Sequence, residues 1–301
     1  HQDLLDSQGW EIVRQRGPLN EAQMLELAGD FDGFICGDDA ITAAVVDKSL
    51  PRLKWISKYG IGIDKIDKDY VTSKGLPIGF CPGVNHTTVA EHTFGLLIGL
   101  TKKIFEVGME TRGGNWKRVT GNEIMGKKMG IVGMGRIGQR MAALAHLLGM
   151  NVIGCDVLPE HDVRGSLPGV PFEFADHAEL YAKSDIITLH ADGRPRNHHM
   201  VNADALAHFR RDALFINAAR GMLVDHDALA DWLRRHPDAR AILDVHAPEP
   251  PPADYPLHGL SNAWLLPHLA SRTDTALHNM SEVVRDVSKV LEGDEPRYPA
   301  V

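Results

Sequence analysis

Short apolar runs alternate with amphipathic stretches along almost the whole chain. In the first 85 residues, apolar runs at 33–36, 53–57 and 76–80 are separated by helical patterns at about 20–29, 40–49 and 64–74. From residue 128 the apolar runs strengthen, at 129–132, 151–155, 185–190, 213–218, 241–245 and 264–266, with helical patterns at 176–183, 202–210 and 226–236. Between these halves one long helical pattern, roughly 87–109, has a length that suits a bridge between domains, and Gly113-Gly114-Asn115-Trp116 ends it. Strands that alternate with helices predict parallel sheets covered on both faces, so the fold class is α/β. The chain opens inside a helical pattern at 1–7, which implies either a strand upstream or a late start to the numbering. A last helix over about 274–291 follows the final strand of the second half and is expected to return to the first domain, making that domain discontinuous.

The most informative stretch lies between residues 128 and 156. An apolar strand runs into Gly133, Gly135 and Gly138, which open a helix, and a second strand ends in Asp156. Each glycine has a mechanical reason: Gly133 for a tight turn, Gly135 for backbone approach to a diphosphate, Gly138 for close packing of helix on strand. The diphosphate would sit on the free N–H groups and positive dipole end of the helix, at Arg136 and Ile137. Glycines in this spacing alone fit an ordinary loop; a strand before, a helix after and an acid at the end of the next strand make this a dinucleotide site. A carboxylate at Asp156 bonds a ribose diol and repels an added phosphate. Arg164 is the nearby basic candidate, and the expected cofactor is NAD, not NADP.

Composition narrows the setting. About 300 residues suggest two domains, and the formal charge of −8 argues against a nucleic-acid binder. The longest wholly apolar candidate, 94–100, is far too short to span a membrane. Cys36, Cys81 and Cys155 are scattered beside apolar runs and read as reduced core thiols of a cytoplasmic protein. Pro248 to Pro252, interrupted by Glu249, reads as a stiff surface loop.

A parallel sheet binds ligands beyond its carboxyl edge, so strand ends carry the chemistry. In the first half, Lys58-Tyr59-Gly60-Ile61-Gly62 offers closely spaced main-chain N–H groups, a cradle for a carboxylate or simply a tight connection. In the second half, Arg220 follows one strand, Asp244 and Glu249 the next, and His268 the last. Hydride transfer at a 2-hydroxy acid needs these three kinds of group. An imidazole exchanges the hydroxyl proton near neutral pH. A carboxylate beside it favours the imidazolium. An arginine holds a planar carboxylate in paired bonds. Taken singly, each has a plainer reading: one of sixteen histidines, a helix-flanking arginine, a solvated loop acid.

Along nearly its whole length the chain resembles the D-isomer-specific 2-hydroxyacid dehydrogenase family. The matching landmarks are Gly60-Ile61-Gly62-Ile63-Asp64, Cys81-Pro82-Gly83-Val84-Asn85, Val89-Ala90-Glu91, the Gly133/Gly135/Gly138 loop, Ile216-Asn217-Ala218-Ala219-Arg220-Gly221, Asp244-Val245 with Glu249, and Pro267-His268. The resemblance implies a Rossmann NAD-binding domain at 96–270 inserted in a flavodoxin-like substrate domain made of 1–95 and 271–301. It implies that His268 is the acid/base, Glu249 its partner and Arg220 the anchor of the substrate carboxylate and carbonyl. Asp244 would touch the nicotinamide carboxamide, Ala218 would line the cofactor, and main chain around Tyr59, Gly60 and Ile61 would hold a small anionic keto acid. A homodimer joined through the cofactor domain is also implied. Two positions depart from the family: Asp192 often is Pro, and an acid there would disfavour a phosphate if turned inward; His246 often is Phe, and reads as a packing replacement. The leading activity is NAD-dependent interconversion of a D-2-hydroxy acid and its 2-keto acid. Phosphoglycerate dehydrogenase is the nearest alternative, since Lys58 stands where some of those relatives carry a basic residue, although a solvated strand-end lysine explains it as well. A non-catalytic NAD-sensing corepressor is the alternative of another class.

Overall fold

The computed structural model describes residues 2–291, 293–294 and 299. The start of the expected first helix at His1 and part of the tail lie outside the described residues. In chain order the elements are α1 (Gln2–Ser7), α2 (Glu21–Leu27), β1 (Gly33–Cys36), α3 (Ala43–Ser49), β2 (Trp55–Lys58), α4 (Lys68–Ser73), β3 (Ile78–Gly79), α5 (His86–Thr101) and α6 (Ile104–Arg112). There follow β4 (Lys128–Val132), α7 (Arg136–Leu147), β5 (Asn151–Cys155), α8 (Glu160–Ser166), β6 (Glu173–Phe174), α9 (His177–Lys183) and β7 (Ile186–Leu189). The remainder comprises α10 (Ala203–Ala207), β8 (Leu214–Asn217), α11 (His226–Arg235), β9 (Arg240–Leu243), β10 (Ala263–Leu265), α12 (Asp274–Met280) and α13 (Val283–Leu291).

The chain forms two compact units, 1–85 with 272–301, and 86–271. The expected boundary at 95/96 falls inside α5, which runs unbroken from His86 and packs on α7 of the second unit. In the first unit three parallel strands lie in the order β1-β2-β3. Trp55 is fully buried, and a side chain at Gly79 on β3 would collide with its ring. The C-terminal segment returns to this sheet: α13 packs on β2, where the Ser57 hydroxyl donates to the Val283 carbonyl (3.4 Å), and the Tyr59 hydroxyl donates to that of Leu277 (3.2 Å). The single helix expected over 274–291 is two, α12 and α13, separated at Ser281 and Glu282.

The second unit is a seven-stranded parallel sheet in the order β10-β9-β8-β7-β4-β5-β6. Strand order reverses between β4 and β7, the point where such sheets open a crevice at their carboxyl ends. One core, with Phe94, Leu97, Met129, Ile131 and Met141, is distinct from another that holds Tyr181, Phe209, Phe215 and Trp232. Burying strands on both faces explains why their sequences are nearly continuous apolar runs.

The continuous helix expected over 87–109 is broken. Lys103 takes a left-handed conformation (φ 57°), and the chain turns so that the Phe105 ring lies on Gly99, where a side chain would collide with it. Two elements, α8 and β6, have no counterpart among the expected ones. Only Val163 of α8 is buried, and β6 is a two-residue edge strand, too short to show a periodicity.

At the centre of β4, Gly130 faces α9, and a methyl group there would collide with the Ser184 hydroxyl and the Leu180 side chain. Gly130→Ala is therefore expected to lower unfolding stability by about 1–3 kcal/mol, the usual cost of overpacking. Urea unfolding reads this directly, and an unchanged midpoint would contradict the packing described.

Candidate active site

The glycine turn sits at the reversal point. Gly133 has φ 94° and donates its N–H to the Cys155 carbonyl (2.8 Å), and a Cβ on it would come within 2.7 Å of the His190 main chain. Gly138 abuts the Gly133 carbonyl so closely that no side chain fits. Gly135 differs: a Cβ there would meet nothing within 4 Å. It is the N-cap of α7 and provides no side-chain cap, so the first-turn N–H groups at Arg136 and Ile137 face an open cradle with the positive end of a twelve-residue helix. An anionic diphosphate fits this cradle.

At the end of β5 the Asp156 carboxylate accepts the N–H of Met134 (2.6 Å) and of Leu158 (2.9 Å), which ties it to the glycine turn. Arg164 is turned away, to Glu160 (2.7 Å) and the Phe172 carbonyl (3.1 Å). Asp192 is held by its own loop, through Arg194 (3.0 Å) and Asn197 (2.9 Å). Ala218, at the end of β8, is buried with Val89, Ala270 and Ile137.

The three strand tips of the second unit meet. His268 Nδ1 lies 2.8 Å from Glu249 Oε2, with about 35% of each side chain exposed. A carboxylate only accepts, so Nδ1 carries the hydrogen and Nε2 is left for exchange. The other oxygen of Glu249 accepts the His246 N–H (2.8 Å). The bond to Glu249 raises the His268 pKa above its ordinary 6.5, against the opposing effects of burial and the Arg220 charge. Burial pushes Glu249 up, but its bonds from His268 and the His246 N–H outweigh this and hold it below the ordinary 4.5.

Asp244, expected at the nicotinamide carboxamide, has no exposed surface. Its two oxygens accept the N–H groups of Leu269 (2.8 Å) and Ala270 (2.7 Å), and its carbonyl accepts that of His268 (2.8 Å). Its role here is to brace the turn on which His268 sits in the left-handed region at φ 54°. His92 Nε2 of α5 stands 3.5 Å from the same carboxylate. Burial raises the Asp244 pKa, and the His92, Leu269 and Ala270 bonds together bring it below the ordinary carboxylate value.

Arg220 follows β8, partly buried, with Nη1 on the Ala219 carbonyl (2.7 Å) and its own carbonyl accepting from Asn217 (2.8 Å). In the first unit, Lys58 is not the solvated lysine considered above. It is 3% exposed, and its ammonium is bonded to the Gly37 carbonyl and to Asp38 (2.7 Å). The Tyr59 N–H is taken by the Cys36 carbonyl (2.8 Å), which leaves Gly60 and Ile61 as the candidate main-chain donors of that loop. Sequence reasoning did not find the roles of His92 and of the Leu269 and Ala270 amides, because nothing in a residue's type marks a main-chain donor.

The linkage signs are opposite for the two partners. The raised His268 pKa gives stability fully present below pH 6.5 and lost as pH rises through the folded value. The lowered Glu249 pKa gives stability present above pH 4.5 and lost as pH falls through the folded value. Glu249→Gln should thus show its largest stability deficit between pH 4.5 and 6.5, and the His268 imidazole should titrate lower in an NMR titration. A deficit that is flat with pH, with His268 unmoved, would contradict the pairing.

Comparison with known proteins bears on this arrangement. A family model described as D-isomer specific 2-hydroxyacid dehydrogenase, NAD binding domain, matches residues 94–270. A glyoxylate reductase of Thermofilum pendens is 36% identical over 287 residues, covering 93% of this chain and 84% of the relative. A D-3-phosphoglycerate dehydrogenase of Methanocaldococcus jannaschii is 34% identical over 92% of this chain, which spans only 53% of that relative. The solved structure of D-lactate dehydrogenase from Aquifex aeolicus, complexed with NAD and lactic acid, aligns with a TM-score of 0.84 at 26% identity, over 97% of this chain and 92% of that one. The chain belongs to the D-isomer-specific 2-hydroxyacid dehydrogenase family and carries that family's NAD-binding domain.

Proposed function

We propose that this protein is an NAD-dependent oxidoreductase that interconverts a small D-2-hydroxy acid and its 2-keto acid, with His268 as acid/base. The observation that carries the reading is the His268–Glu249 bond, which fixes the ring through Nδ1 and presents Nε2. The uncapped turn at Gly135, Arg136 and Ile137 supports a bound dinucleotide, with Gly133 and Gly138 shaping the turn and Asp156 beside it. When bound, the nicotinamide supplies or accepts the hydride at C2. In reduction, protonated His268 gives the Nε2 proton to the C2 oxygen, and Glu249 stabilises the imidazolium until that moment. Arg220 holds the substrate carboxylate. Solvent then returns the proton to His268.

An unphosphorylated acid of the glyoxylate, hydroxypyruvate or pyruvate size is favoured over a phosphorylated one. Lys58, the residue considered for a phosphate, is already bonded to Asp38. No helix among the described residues is long and apolar enough to cross a membrane. Three buried cysteines with no disulfide between them suit a reducing compartment, the cytoplasm. A homodimer joined through the second unit is supported by α6, which buries none of its own residues and leaves Met109 70% exposed, with Trp116 80% exposed just beyond it.

Replacing His268 with Ala should lower keto-acid turnover by roughly 10²–10⁴, the usual worth of an acid/base group, while NADH binding persists. Full turnover in that variant would exclude the role. Because the Asp156 carboxylate repels an added phosphate and Arg164 is turned away, kcat/KM should be higher with NADH than with NADPH for the same keto acid; the reverse order would overturn the cofactor choice. Sedimentation should find a dimer that Met109→Glu with Trp116→Glu converts to a monomer. A monomeric wild type, or an undisturbed dimer in the variant, would remove the proposed interface.

A further inference from the structure

One histidine outside the proposed reacting groups touches all three strand tips, through its main chain and its ring. His246 is 7% exposed and follows β9 by three residues. Its main-chain N–H donates to Glu249 Oε1 (2.8 Å). Its ring Nε2 lies 2.9 Å from the Leu266 carbonyl, two residues before His268 at the end of β10. Its carbonyl presses so closely on Gly221 that a side chain there would collide with it, and Gly221 adjoins Arg220 at the end of β8. Three segments that belong to different strands and carry the three proposed groups are therefore joined at one residue.

The bonding pattern also places a hydrogen on the ring. A carbonyl only accepts, so Nε2 must carry the hydrogen. Nδ1 lies 3.1 Å from the Tyr255 hydroxyl, which can donate to it or accept from it. Tyr255 is itself buried and stands edge-on to the ring, with centroids 5.5 Å apart. Both nitrogens are engaged inside the protein, so His246 has no free position from which to exchange a proton with substrate. The titratable groups around it are Glu249 and Tyr255 on its own loop and His226 on α11, which also stands against Tyr255.

We propose that His246, bonded through both ring nitrogens, is a positioning residue that locks the Glu249 loop to the strand end carrying His268 and so maintains the acid/base pair. The side-chain half of this lock needs polar ring atoms facing the Leu266 carbonyl and the Tyr255 hydroxyl. Phenylalanine fills the same space but leaves the Leu266 carbonyl and the Tyr255 hydroxyl without their ring partner, while glutamine offers one donor and one acceptor. The main-chain bond to Glu249 survives any of these changes, so the ring bonds alone are tested. The proposal rests on the reading of His268 and Glu249 given above, but it makes a statement about the protein without cofactor that can be checked separately.

The test compares His246→Phe, His246→Gln and Tyr255→Phe with wild type. The readouts are the His268 titration by NMR without cofactor, kcat and KM for the keto acid, and NADH affinity. Glu249, Asp244 and Arg220 are the charged groups facing His268, and of these the Glu249 contact is the one the lock maintains. His246→Phe should lower kcat about tenfold through misplacement of a reacting group, leave KM and NADH affinity within about twofold, and move the His268 titration down. His246→Gln should recover most of both losses, and Tyr255→Phe should shift them the same way by less. Wild-type kcat and titration in His246→Phe would overturn the proposal, as would equal losses in kcat, KM and NADH affinity. Should His246→Phe fail to fold, an unmoved His268 titration in Tyr255→Phe overturns it. A wild type that reduces no keto acid removes the acid/base reading, while the titrations still decide whether His246 positions His268.

Discussion

His268 is held between two carboxylates, and the placement of its ring is the constraint on which the proposed chemistry depends. Glu249 grips the ring from one side (2.8 Å), while Asp244 secures the main chain beneath it through the N–H groups of Leu269 and Ala270. A non-glycine residue in the left-handed region costs of order 1–3 kcal/mol, and a buried carboxylate carries a desolvation penalty of several kcal/mol. Neither feature would persist alone. Here each offsets the other, because the turn that strains His268 aims successive amides at the acid and so forms an anion-binding concavity. The acid in that concavity belongs to the protein itself.

The parallel sheet brings the parts together at one edge. Its strands end side by side, so Arg220, Glu249 and His268, 48 residues apart in sequence at their extremes, follow adjacent strands β8, β9 and β10. Close approach between neighbouring loops demands glycine at two of these ends. Gly133 lies against the main chain of His190, and Gly221 against that of His246. The first contact shapes the cofactor turn, and the second keeps the arginine loop against the loop that carries Glu249.

Much of this was legible before any coordinates, for a physical reason. Strands buried on both faces announce themselves as apolar runs, and in a parallel sheet the residue after each run stands on the functional edge. The same rule singles out Arg220, Glu249, His268 and the glycine turn as candidates. What stayed hidden depended on geometry between distant residues. The bend at Lys103 follows from a ring resting on Gly99, which no periodicity encodes. Lys58 reads as a strand-end cation until Asp38 and the Gly37 carbonyl are placed beside it. Asp244 carries the same residue type whether it meets a cofactor or two main-chain amides. His246 reads as packing, and its ring is indeed buried, but its bonds to Tyr255 and Leu266 are tertiary facts.

The most direct test of the account is the position of His268 Nε2 in a crystal structure of the protein with NADH and oxamate, an unreactive keto-acid analogue. The account predicts Nε2 within about 3.2 Å of the oxygen that stands for the C2 carbonyl, with Nδ1 still on Glu249 and the analogue's carboxylate on Arg220. An analogue bound with that oxygen facing another donor, or with the His268 ring turned away from it, would contradict the account.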